Sequence, residues 1–200
     1  ASAFAVECQA LPAMAQMWRT GLPWNAERLA QVKADYEFDI AELGKEFVRK
    51  LDQALPEDQK LPREPDGSFN LRPKAALKRD GGAPAGFNLN SPKQLVEKFT
   101  VLLGVVPVGK EGKPSAARDA LRDYAADHKV IQIYLLWKRA EKRRQMVISL
   151  LEHQAPDGFI RASYMQLGAE SGRMSCAKPN LQQVPRDNAF RLAAEAPEGW

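Results

Sequence analysis

Between Asn25 and Leu51, apolar side chains recur at steps of three and four, at Leu29, Val32, Tyr36, Ile40, Leu43, Phe47 and Leu51. That spacing puts all seven on one face of an α-helix. Asn25 offers an N-cap oxygen and Glu27 a negative charge where the helix dipole favours one. The pattern therefore predicts one long amphipathic helix whose stripe packs into a core. Before it, residues 11–18 read as a short helix stopped by Gly21 and Pro23. Another helix starts in FNLNSPKQL, residues 87–95, where Ser91 caps, Pro92 takes the first helical position and Gln94 completes a capping-box spacing. Ser115 is placed to cap a further helix through Leu121 and Tyr124. From His128 to His153 the period is helical again, with Val130, Ile133, Trp137 and Ala140 continued by Met146, Leu150 and Leu151.

Two stretches break the pattern. Residues 56–86 hold five prolines with several glycines and charges, which excludes a continuous helix and predicts an irregular, mobile insertion. After the turn Pro156-Asp157-Gly158, residues 158–166 alternate apolar and polar and read as a strand. SGRMSCAKPNLQQVP, residues 171–185, has neither period and reads as a polar loop. The expected fold class is mainly α with a small β portion.

Composition narrows this little. A chain of 200 residues with 44% hydrophobic side chains supports one domain or two small ones. Its net charge of +4 is too small to argue for a nucleic-acid partner. From Lys138 to Arg191, however, ten basic residues face five acidic ones, so the surplus sits in this last third. Its densest part is KRAEKRR, residues 138–144, where Lys138 and Lys142 share a helix face with Gln145 and have Arg139 and Arg143 beside them. A solvated face and a phosphate-binding face fit that run equally well. Cys8 and Cys176 match no metal-ligand spacing, which fits a reducing, cytoplasmic setting, and no apolar run reaches the length of a membrane span.

Several pieces, in this order, resemble the family A DNA polymerases of the bacterial polymerase I type. SGRMSCAKPNLQQVPR and the following FRLAAEAPEGW are similar to the family's TGR(L/M)S..PNLQ.(I/V)P block and the APEG run behind it. FNLNSPKQL, WKRAEKRR, PDGFIRASYMQLGAESGR and LPAMAQMWRTGLPWNAERL resemble other segments of the family. The resemblance implies that residues 1–24 lead into a thumb, that residues 25–154 form this helical thumb around an insertion at 56–86, and that residues 155–200 begin the palm sheet.

It also implies a ligand, primer-template DNA. Every base pair presents acceptors in the minor groove, so donors placed there read pair geometry with little regard to sequence. Arg173, Asn180, Gln182 and Gln183 match the family's donors near the primer terminus, Gln183 standing where asparagine is commoner. Lys138 and Lys142 match its phosphate-facing pair, with Lys138 in place of an arginine and so without the bidentate fork. Arg144 is a third expected phosphate contact. The family's catalysis uses two Mg2+ held by carboxylates, the first in a block like DYSQIELR, which lies beyond Trp200. No residue of this chain is therefore a catalytic or metal-ligand candidate, and the chain alone is expected to be inactive without the missing palm and fingers or a complementary polymerase chain. The alternative is a non-catalytic DNA-binding module built from a thumb.

Overall fold

In the computed structural model, residues 3–71, 86–166, 168 and 172–195 are described. Helices dominate, and the strands form two small antiparallel pairs. The mainly α class with a small β portion is thus the fold observed. The chain divides into two compact units, residues 1–40 with 139–200, and residues 41–138.

The first unit contains helix α1 (Ala3–Thr20), strand β1 (Leu22–Pro23) and the start of helix α2 (Ala26–Ala54). It also holds the end of helix α5 (Lys129–Glu152), strands β2 (Phe159–Ile160), β3 (Ser163–Met165) and β4 (Ser175–Ala177), and helix α6 (Asn188–Ala193). Helix α1 is longer than the expected 11–18 and carries Pro12 inside it. A proline removes one intrahelical hydrogen bond, and alanine and glutamine, both good helix formers, stand on either side of it. Gly21 ends it at φ 71°, its N–H donating to Met17 O. A Cβ there would lie 2.9 Å from Ile160 O, so the turn into β1 needs glycine.

The strand expected over 158–166 is broken in two. Phe159 and Ile160 pair with Pro23 and Leu22, whereas Ser163–Met165 pairs with Ser175–Ala177. The chain changes partner at Arg161, whose guanidinium grips Asp157 through two hydrogen bonds of 3.1 and 2.6 Å while its Nε donates to Arg19 O. Asn25 caps α2 as its type predicts, its Oδ1 accepting from Arg28 N at 3.0 Å. Leu29, Val32, Val147, Leu150, Ile160 and Phe190 form the buried centre of this unit.

The second unit contains the rest of α2, helix α3 (Pro92–Leu103), helix α4 (Arg118–Leu121) and the start of α5. Its core is an aromatic cluster in which Phe47, Phe99, Tyr134 and Trp137 lie with ring centroids 5.0 to 6.3 Å apart. Ser91 caps α3, but the Gln94 side chain reaches past it to accept from Asn88 N at 2.7 Å. Ser115 behaves differently from expectation. Its Oγ accepts from Ala117 N at 3.1 Å, and α4 begins at Arg118 without a side-chain cap before tightening into a 3₁₀ turn at Arg122–Ala125. Ser115 lies two residues ahead of the N-cap position, Ala117, so its hydroxyl closes a local turn before the helix instead of capping it.

Residues 57–71, the start of the expected insertion, contain a 3₁₀ turn at Glu57–Gln59 and a bridge between Arg63 and Phe69. They are tied down by the buried Asp52, which accepts from Leu61 N and from Arg63 Nη2, both at 2.8 Å. Residues 72–85 of that insertion lie outside the described residues.

Phe47 is fully buried where three other rings meet. Phe47→Ala is expected to cost about 3–5 kcal/mol, the range for an aromatic removed from a packed core, measured as a shift in the urea unfolding midpoint. Phe38→Ala, 68% exposed on the same helix, is expected to shift it little.

Candidate nucleic-acid interface

The polar stretch 171–185 is not a plain loop. Its described part, from Gly172, contributes β4, whose Cys176 is buried and donates weakly to Pro179 O at 3.5 Å. Then follows a 3₁₀ turn at Leu181–Gln183. The small pairing explains why no alternation was legible, since three residues give no period. Opposite β4, a Cβ on Gly168 would fall 2.0 Å from Ser175 Oγ and 3.0 Å from Ser175 Cβ, so a larger residue at 168 would have to displace the Ser175 side chain.

The four expected donors of this stretch differ in what they already do. Arg173 and Gln183 are exposed, and their side chains have no hydrogen-bond partner among the described residues. Asn180 uses its Oδ1 to accept from Gln182 N at 3.2 Å, which caps the turn, and its amide hydrogens have no partner among the described residues. Gln182 donates to Met174 O at 3.1 Å, which folds the turn back toward the start of β4. Asn180 and Gln182 thus shape the surface that Arg173 and Gln183 present.

On α5, Lys142 is exposed, with no ion pair among the described residues. Arg144 sits two residues on, roughly 200° further round the helix, and its Nε is buried with no partner among the described residues. It therefore faces away from Lys142. Lys138, in the second unit, donates to Asn90 Oδ1 at 2.9 Å and lies 4.3 Å from the Trp137 ring centroid. Asn90 is itself fixed, its N–H donating to the buried Asn88.

The periodicity did not disclose the use of Arg143. Its Nη2 lies 2.7 Å from Asp187 Oδ2, both side chains about three-quarters buried, and its guanidinium carbon stands 6.0 Å from the Tyr36 ring centroid. Tyr36 OH donates to the same Oδ2 at 3.3 Å, and Asp187 Oδ1 accepts from Phe190 N at 3.4 Å to cap α6. One signal was present in the sequence: Asp187 followed by Asn-Ala-Phe is an N-cap pattern. Burial, the largest influence, pushes the Tyr36 phenol up, opposed by the Arg143 charge and aided by Asp187.

No group of three or more His, Cys, Asp or Glu side chains converges among the described residues. They do not fit a carboxylate-held metal pair. Among the described residues, no helix is long and apolar enough to cross a membrane.

The family model for DNA polymerase family A matches residues 74–196. The chain belongs to that family. DNA polymerase I of Lactococcus lactis subsp. cremoris is 38% identical over 125 residues, covering 60% of this chain and 14% of that protein. DNA polymerase I of Chloroflexus aurantiacus is 28% identical over 97% of this chain and 20% of its own length. The chain thus spans a fifth or less of these curated relatives. Its fold is similar to the POL domain of Pol1 from M. smegmatis, solved in complex with DNA primer-template and dNTP, with a TM-score of 0.67 at 24% identity over 94% of this chain and 29% of that one.

The folded state holds the Tyr36 proton more tightly than the unfolded chain, where a phenol titrates near about 10. Its stabilising contribution is therefore complete below that pH and is lost as pH rises through the raised folded value. Urea unfolding is expected to show wild type more stable than Tyr36→Phe by about 1 kcal/mol at neutral pH, with the difference shrinking once the phenol ionises. A difference independent of pH would contradict the assignment.

Proposed function

We propose that this chain supplies the duplex-binding part of a DNA-directed DNA polymerase, with residues 25–154 serving as the thumb and residues from 155 onward as the first part of the palm. The observation that carries the proposal is the surface of 172–183, where β4 and the 3₁₀ turn leave Arg173 and Gln183 exposed as donors. In a duplex minor groove such donors meet acceptors at every base pair, so they hold a primer end irrespective of sequence. Asn180 adds its amide hydrogens and Gln182 sets the shape of the turn. Lys142 and, in the second unit, Lys138 supply positive charge to phosphates, which fixes position and makes affinity depend on salt. Arg144 faces away from Lys142, and the phosphate role is assigned to the lysines.

Template-directed nucleotidyl transfer needs two divalent metals to align the primer hydroxyl and stabilise the leaving pyrophosphate. The described residues assemble no such site. The carboxylates are assigned to further palm sequence, in the same polypeptide or in a second one. The 200-residue chain by itself is accordingly proposed to bind a primer-template and not to extend it.

Arg173→Ala is expected to reduce primer extension by the complete enzyme at least tenfold more than it reduces duplex affinity. Lys142→Ala should do the reverse, weakening binding and lowering the slope of log K against log salt by about 0.9. Equal and negligible effects of both substitutions would remove the reading.

A further inference from the structure

Arg143 lies in the middle of the basic run, yet its geometry separates it from the neighbouring Lys142. We propose that Arg143 is a positioning residue, which through Asp187 fixes the donor-bearing turn at 180–183 relative to the part of α5 that carries Lys142, and that it is not a phosphate ligand. The consequence for DNA rests on the duplex-binding reading above. The positioning itself does not.

One carboxylate gathers three elements. Asp187 accepts Tyr36 OH from α2, pairs with Arg143 on α5 and caps α6 through Phe190 N. The Tyr36 and Phe190 rings close the arrangement at 6.3 Å between centroids, with Phe190 fully buried. A phosphate competing for Arg143 would have to displace a carboxylate 2.7 Å away and leave Asp187 largely buried without its cation, a costly exchange in a poorly solvated place. Lys142, exposed and one residue before it in sequence, offers its ammonium at no such cost.

The turn has two tethers. At its start, Gln182 holds Met174 O and β4 pairs with β3. At its end, Asp187 follows Gln183 by four residues, across Pro185. Only this second tether reaches α5. Breaking it leaves Asp187 on Tyr36 and the α6 cap but without its direct tie to α5, so the turn is held less firmly against Lys142 and donors and cation meet one duplex in a looser register.

Amide hydrogen exchange and duplex binding, both on the purified 200-residue chain, test this. In Arg143→Met, exchange at Gln182, Gln183 and Val184 is expected to rise about tenfold or more while the amides of α5 keep their rates. Adding Asp187→Asn, which retains an oxygen for the α6 cap, should then change little, and Arg143→Lys should recover part of the protection. Duplex affinity of Arg143→Met should fall with an unchanged salt slope. A slope reduced by about 0.9 would instead make Arg143 a phosphate ligand and overturn the proposal, as would unchanged exchange at the turn or equal acceleration throughout the unit. If wild type binds no duplex, the functional reading fails, and the exchange results alone decide the positioning.

Discussion

A single carboxylate, that of Asp187, settles how the polar end of the chain is held. Its oxygens take the Arg143 guanidinium, the Tyr36 hydroxyl and the Phe190 amide in the first turn of α6. Around them the first unit closes further, as Arg28 donates to Leu192 O at 2.7 Å and Asn25 N to Ala193 O at 2.8 Å. These bonds satisfy carbonyls at the end of α6 that a six-residue helix leaves without partners. A helix this short has little stability of its own. Its place is set by polar contacts with α2 and by the burial of Phe190 and Ala193.

The second unit relies on a different kind of interaction. Four aromatic rings from α2, α3 and α5 fill its centre, and Tyr134 satisfies its hydroxyl on Ala116 O at 3.1 Å. The hydrogen bond allows a tyrosine to sit in a dry core at little cost. Asp52 plays the comparable role for residues 57–71, a buried acid made tolerable by Arg63 and the Leu61 amide. In each unit a short irregular segment follows a buried polar group rather than any propensity of its own.

This explains what could be read in the sequence. Helices α2, α3 and α5 were legible because their stripes run for several turns, and because Asn25 and Ser91 sit where a cap is needed. Of the strands, β2 and β3 fall within the expected 158–166, but the break between them, β1 and β4 were not legible, since β1 and β2 are two residues long and β3 and β4 three. Ser115 misled because a hydroxyl before a helix serves a local turn equally well. For the candidate interface, residue types and order identified the family, while the division of labour stayed hidden. Whether Gln182 faces outward or holds Met174 O, and whether Arg143 meets solvent or a carboxylate 44 residues on, depends on tertiary contacts that no local pattern encodes.

Exposed donors lie on 172–183, and the basic run of α5 holds cations that differ in freedom. Some are engaged within the fold, Arg143 by Asp187 and Lys138 by Asn90 and the Trp137 ring. Lys142 is not, among the described residues. A protein built to grip phosphates without reading sequence should betray itself by counterion release. The most direct measurement is therefore the affinity of the 200-residue chain for a primer-template duplex across a salt series, with scrambled sequences compared. The account predicts binding that is indifferent to sequence and falls steeply and linearly in log K against log salt. Absence of duplex binding at low salt, or affinity that does not respond to salt, would contradict it.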